Sequence, residues 1–231
     1  MRILALETSG FGGSVAVAEA DRIITEKRLA TGERSGRSLS PALQALLTQV
    51  GWRPRDVQLV AVTQGPGSFT GLRVGVTTAK IFAYASGAEV IGVDTLEAIA
   101  SQAVTEKPFL HAVMNAERNQ LFAAKFQRNP LGHWTAIETT TIVDRTQWAE
   151  SLSHDDAITG PGLTDLADHL APSTMPAPAA FVPSALWQPQ AAAVAAIGWR
   201  DYQSGRRDDV WRLLPNYFRE SAAVEKLMPK G

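Results

Sequence analysis

TQGPGSFTGLRVGVTTAK, residues Thr63 to Lys80, decides how this chain is organised. It follows the apolar run Leu59-Val60-Ala61-Val62, which reads as a buried strand. Gly65, Pro66, Gly67 and Gly71 then fall close together. Glycine lets a second backbone or a ligand come near, and Pro66 steers Gly65 out of the α region. Ser68 or Thr70 can cap a helix from about Thr70 to Ser86. A strand, a stiff glycine loop and a helix N-terminus admit two readings. The first is an anion receptor, built on free N–H groups and the positive end of the helix dipole. The second is a tight crossover whose glycines only permit close packing. Two motifs are excluded: no Lys-Ser/Thr follows the last glycine as in a Walker loop, and the glycine spacing is not that of a dinucleotide fingerprint.

Working outward, Arg2–Leu6 reads as a strand buried on both faces, ending at Glu7-Thr8-Ser9-Gly10 with a turn at Gly12-Gly13. Ser14–Ala18 and Ile23–Leu29 read as an antiparallel meander. Ser38 or Ser40 caps a helix to about Val50, with Leu39, Leu43, Leu46, Leu47 and Val50 as its apolar stripe and Gly51 as its stop. Glu89–Val93 is a strand, and Thr95 caps a helix to about Val104. From about residue 105 the plan restarts. Phe109–Met114 ends in Asn115-Ala116-Glu117-Arg118-Asn119, and Leu121–Phe126 and Trp134–Ile142 follow as strands. This echoes the opening of the chain and reads as an internal duplication, a chance similarity of two β-meanders being the other reading. A helix near Asp144–Leu152, a strand Ala157–Thr159 and a helix from Gly160-Pro161-Gly162 to about Leu170 come next. In the proline-rich stretch Pro172–Pro189, Phe181, Val182, Leu186 and Trp187 suggest a segment draped on the fold. Gln190–Gln203 is an alanine-rich helix. The tail from Trp211 is too apolar to hang free. The expectation is an α/β fold of two lobes, residues 1–104 and 105–231, with a tail that could return to the first lobe.

Composition narrows the chemistry. The chain has 231 residues, 45% of them hydrophobic, so it can bury a sizeable core. Its formal net charge of −1 predicts no broad footprint for nucleic acid or an anionic membrane. It has no cysteine, which excludes disulfides, thiolate metal sites and a cysteine nucleophile. No apolar run is long enough to span a membrane, and MRILALETSG is too short and strand-like for a signal peptide, so a cytoplasmic protein is expected. His111, His133, His154 and His169 do not stand at metal-ligand spacing, and no GxSxG elbow occurs. Ser68 reads as a cap rather than a nucleophile.

A two-lobe nucleotide cleft commonly needs an aspartate at each lobe's first hairpin, to hold Mg²⁺. Here those places carry Glu7 and Asn115. Glu7 could serve a hydrated metal; Asn115 has no charge. Glu7, Thr8, Ser9, Gly12, Gly65, Gly67, Ser68 and Asn115 are therefore the candidate phosphate-loop residues, with no catalytic group and no metal ligand assigned.

MRILALETSGFGGSVAVAE, VTQGPGSFTGLRVGVTTAK and IGVDTLEAIA closely resemble the N-terminal half of the TsaB (YeaZ) family. NAERNQLFAAKF is similar to that family's second hairpin, which usually opens with Asp-Ala-Arg, and LLPNYFRESAAVEKL to its Pro-x-Tyr-x-Arg segment. The resemblance implies the actin/hexokinase/Hsp70-like two-lobe fold. It also implies a non-catalytic subunit in bacterial biosynthesis of threonylcarbamoyladenosine in tRNA, dimerising with the catalytic paralogue TsaD and joined by the ATPase TsaE. ATP, Mg²⁺ and tRNA would then enter at the level of the complex. In two places the chain departs from the family. Ser35-Gly36 stands where a His-Ser or His-Thr pair often opens the first helix, and Glu7 and Asn115 replace the aspartates. Both make nucleotide hydrolysis by this chain less expected.

The expected partner surface lies on the helices Ser38–Val50 and Thr70–Ser86: Leu39, Leu43, Leu46, Arg73, Val74, Thr77, Thr78, Ile81 and Phe82. The second helix is apolar or small nearly all round, which suits either a partner or a doubly covered core position. The same face could pair two copies of the chain. The alternative functions are a metal-dependent peptidase and a small-molecule kinase of the same fold.

Overall fold

The computed structural model describes residues 1–10, 12–29, 35–164 and 180–219. The first half of the chain gives β1 (Arg2–Glu7), β2 (Ser14–Glu19), β3 (Arg22–Arg28), α1 (Ser35–Gln49), β4 (Leu59–Gly65), α2 (Phe69–Ser86), β5 (Glu89–Asp94) and α3 (Thr95–Ser101). The second half gives β6 (Phe109–Asn115), β7 (Gln120–Arg128), β8 (Trp134–Asp144), α4 (Arg145–Glu150), β9 (Asp156–Thr159), β10 (Ala180–Phe181) and α5 (Ala191–Gln203).

These strands form two five-stranded sheets, ordered β3-β2-β1-β4-β5 and β10-β9-β6-β7-β8. In each, an antiparallel meander supplies one side (β1-β2-β3, β6-β7-β8) and parallel strands the other (β1-β4-β5, β6-β9-β10). Read from its first strand, each sheet therefore has the same topology, as the repeated pattern in the sequence leads one to expect.

β1 explains why the first sheet is buried on both faces. Leu4 and Leu6 point into one core with Val15, Val17, Val60 and Val62, roofed by α1 and α2. Ile3 and Ala5 point into the other with Ala16, Ala18, Leu59, Ala61 and Ile91, roofed by Ala191, Val194, Ala195 and Ile197 of α5. Alanines dominate this second face of the sheet, so α5 sits close. A Cβ on its Gly198 would lie 2.6 Å from Ala61 Cβ. The second sheet packs Leu96, Ile99 and Ala100 of α3 on one face, and Trp148 and Ala149 of α4 with Leu152, two residues past its end, on the other. His111 is a core residue here: its Nδ1 accepts Trp148 Nε1–H at 3.3 Å, its Nε2 stands 3.3 Å from Asp156, and burial holds it below the usual histidine range.

Some boundaries differ from the sequence expectation. Asp94, not Thr95, caps α3, accepting from Leu96 and Glu97 N–H at 2.8 and 3.1 Å. Asp144 does the same for α4, accepting from Thr146 and Gln147 N–H. A carboxylate reaches the first-turn amides better than the following threonine can. After Gly160 there is one 3-10 turn, Pro161–Leu163. The rest of the expected helix to Leu170, and His169 on it, lie outside the described residues. Of the residues expected to be draped on the fold, Val182 is buried whereas Phe181 is exposed.

Candidate functional site

Of the strand-end residues named above, Glu7, Thr8, Ser9, Gly65, Gly67 and Ser68 come together at the first turn, and Asn115 does not. Ser68 caps α2, its Oγ accepting Gly71 N–H at 3.2 Å. Ser68 N–H is itself spent on Ser9 O at 2.7 Å. The glycines admit the neighbouring backbone. A Cβ on Gly71 would stand 2.0 Å from Thr8 O, one on Gly75 2.1 Å from Thr8 Oγ1, and one on Gly67 2.5 Å from Ser9 O. Gly65 and Gly67 also hold φ of +127° and +156°, which side chains disfavour. Thr8 and Ser9 are buried. The loop is thus filled by the chain's own Thr8-Ser9 segment.

Glu7 completes the closure. It is buried, and its Oε1 accepts from both Ser9 N–H, at 2.6 Å, and Ser9 Oγ. Burial pushes its carboxyl up to about 7; hydrogen bonds from the Ser9 side chain and backbone and from Gly10 oppose this, and Glu26 adds to it. The Ser9 N–H that could serve an external anion instead serves this side chain. Gly12, at φ +78°, is part of the exposed turn beyond. Thr8 Oγ1 is buried without a hydrogen-bond partner among the described residues, pressed against Gly75.

The corresponding turn of the second sheet is built differently. Asn115 is exposed, and its Oδ1 accepts Glu117 N–H at 2.8 Å. Glu117, Arg118 and Asn119 follow one another at φ of 61°, 51° and 59°, all left-handed and none of them glycine. A C-terminal strap, residues 208–219, runs from the first sheet and its glycine loop to this second turn. Asp208 bridges to Val90 and accepts Gly92 N–H at 2.8 Å. Lys80 Nζ donates to the Trp211 and Leu213 carbonyls at 3.0 Å each. Gln64 donates to Leu214 O and accepts from Asn216 N–H. Phe218 then meets Phe122 of β7, and Arg219 donates to Ala116 O at 2.7 Å and to the Gln120 side chain.

The helix surfaces require a correction. Leu39, Leu43 and Leu46 are not surface groups but core, at 1%, 6% and 0% exposure. α1 has only one apolar stripe, and its own sheet takes it; the outward positions are Gln44, Ala45, Thr48 and Gln49. On α2, Val74 and Phe82 are half-buried against the same core, and Thr78 is half-buried. Arg73, Thr77 and Ile81 do face outward, one helical turn apart. Arg73 is held by the strap: its Nε donates to Tyr217 OH at 2.9 Å, and its guanidinium lies 3.9 Å from the Phe69 ring centroid.

Tyr84 continues this line and was not singled out from the sequence, although it follows Ile81 by three positions. Ile81 is 64% and Tyr84 68% exposed, and Tyr84 meets Trp211 of the strap, where Leu214 and Tyr217 are exposed as well. Tyr84 and Trp211 meet edge to face at 5.1 Å, and Phe69 and Tyr217 lie 4.6 Å apart with their rings tilted by 31°. Only the folding back of the strap reveals this composite surface. Among the described residues no cluster of His, Cys, Asp or Glu is placed to hold a metal ion, and no helix is long and apolar enough to cross a membrane.

Comparison with known proteins agrees with this architecture. The sequence model of the tRNA N6-adenosine threonylcarbamoyltransferase (TsaD) family matches residues 30–199. The tRNA threonylcarbamoyladenosine biosynthesis protein TsaB of Bacillus subtilis is 28% identical over 157 residues, 68% of each chain. That of Escherichia coli is 32% identical over 145 residues, 62% of each. YeaZ from Pseudomonas aeruginosa superposes with a TM-score of 0.78 at 22% identity, over 94% of this chain and 99% of that one, which speaks to the fold. The chain belongs to the family that this sequence model describes and, within it, to the TsaB (YeaZ) group.

Proposed function

We propose that this chain is a non-catalytic subunit in bacterial biosynthesis of threonylcarbamoyladenosine in tRNA, and that it works by being gripped by TsaD. In this reading residues 1–104 form the partner-binding lobe, residues 105–231 form the second lobe, and the strap belongs functionally to the first. TsaE joins the pair in the cytoplasm, and ATP, Mg²⁺ and tRNA are handled by the assembly.

One observation carries the reading: the contiguous face of Ile81, Tyr84, Trp211, Leu214 and Tyr217. Each of these is between 44% and 68% exposed; Tyr84 meets Trp211, and Tyr217 lies on Phe69 and Arg73 of the same helix. Burying a side chain of this size is worth roughly 1.5–3 kcal/mol. A cluster of such groups with aromatic members is what the centre of a protein interface is made of. The inward-turned donors of the first turn support the non-catalytic half of the proposal, because Ser9 and Ser68 N–H are already used.

The test is co-purification with TsaD. Ile81→Glu combined with Tyr84→Glu is expected to abolish the complex while leaving the thermal unfolding of the isolated chain unchanged. Phe82→Glu is expected to destabilise the chain itself, because Phe82 packs on the core. Retention of the complex by the double variant would place the contact elsewhere. Turnover by this chain without TsaD would overturn the subunit reading.

A further inference from the structure

Among the described residues the two sheets are joined along α3, beside which the chain runs from Val182 in the second core to Ala191 in the first and accepts from Gln102 at the Leu186 and Gln188 carbonyls, and again at the end of the strap. Ala98 of α3 belongs to the core of the first sheet and its Leu96, Ile99 and Ala100 to that of the second, while Asp94 at its start accepts from Thr140 of β8 at 3.1 Å. The second join is the end of the strap. Asn216 lies against the loop after β4: its N–H donates to Gln64 O at 2.7 Å, and its carbonyl stands where a Cβ on Gly65 would be, 2.7 Å away. Next, Tyr217 stacks on Phe69 and accepts from Arg73, still on the first sheet's side. Phe218 and Arg219 are already on the other side, against Phe122 and on Ala116 O and Gln120. The chain crosses from one sheet to the other between Tyr217 and Phe218.

Two bodies joined along one packed helix can rotate about it. A second attachment away from that helix removes the rotation. We propose that residues 216–219 are a tie that holds the angle between the two sheets, with Arg219 as its anchor in the second. The anchor grips the carbonyl of Ala116, next to the left-handed run Glu117-Arg118-Asn119. Such backbone persists only where its surroundings over-determine it. The tie therefore both locks the angle and supports the turn. This inference is independent of which protein covers the face of α2.

The chain has no cysteine, so a pair of introduced ones reports without interference. Gln49→Cys on α1 and Gln127→Cys on β7, both exposed positions, carry spin labels. Pulsed electron–electron resonance on the full chain is expected to give one narrow distance distribution. In the Arg219→Ala background it is expected to widen roughly twofold or to gain a second peak. Arg219→Lys, which restores one donor, is expected to recover most of the narrow peak. Phe218→Ala provides an independent cut of the same tie. A distribution that stays narrow in both variants, or one that is already broad in the parent chain, would overturn the proposal.

Discussion

The turn after β1 and the turn after β6 occupy the same place in two sheets of the same topology, and they are stabilised in opposite ways. The first is sealed from within. Glu7 folds onto Ser9, glycines of α2 close over Thr8, and the segment is buried. The second stands in solvent with left-handed backbone at Glu117, Arg118 and Asn119, and is gripped by Arg219 from a distant part of the chain. A duplicated framework thus fixes where two turns lie but not what holds them. One depends on steric fit and a buried carboxyl, the other on a few polar contacts at the surface. They should respond to mutation and pH accordingly.

The largest effect is expected where fit alone decides. Gly71→Val places a side chain on the Thr8 carbonyl, which is backbone and cannot step aside. It should cost about 4 kcal/mol or more and often abolish folding, as read from urea denaturation and soluble yield. Next comes Glu7→Gln. The amide keeps an acceptor for Ser9 and removes the buried charge. The folded carboxyl titrates near 7 against an ordinary 4.5, so the folded state binds the proton more tightly than the unfolded one. Its stabilising contribution is full below 4.5 and disappears as pH rises through about 7. The variant should therefore gain up to roughly 3 kcal/mol over the parent at pH 8 and nothing at pH 4. Parallel denaturation curves at the two pH values check this, and a gain at the acid end instead would mean that the carboxylate is stabilised by its surroundings.

The second turn should show smaller changes. Glu117→Gly relieves a left-handed residue and should raise stability by about 0.5–1 kcal/mol, the relief being partly offset by added freedom in the unfolded chain. The smallest effect is expected from Asn115→Asp. A carboxylate keeps the acceptor oxygen for Glu117 N–H, so the change should stay within about 0.5 kcal/mol. A large loss there would show that the amide's donor side matters to this turn as well.

Much of this was legible in the residues themselves. The doubly apolar β1, the antiparallel meander, the capped glycine-to-helix join at Ser68 and the recurrence of the plan after residue 105 are local or periodic signals. They depend on φ preference, side-chain alternation and capping, and these act over a few neighbours. The sequence left open whether the glycines of the Gly65–Gly75 segment receive an anion or a backbone, since glycine marks close approach without naming the visitor. Nor could it say which leucines of α1 face a partner, because a single stripe can face only one thing and the sheet claims it. Which residues of the tail continue the face of α2 was likewise out of reach. Those questions were decided by contacts between residues distant in sequence, such as Gly71 with Thr8, Arg73 with Tyr217 and Ala116 with Arg219. Such contacts arise only once both sheets exist and the strap has a surface on which to bury Leu213. Local chemistry selects the elements, but which donors are used and which apolar groups remain exposed is set by long-range packing.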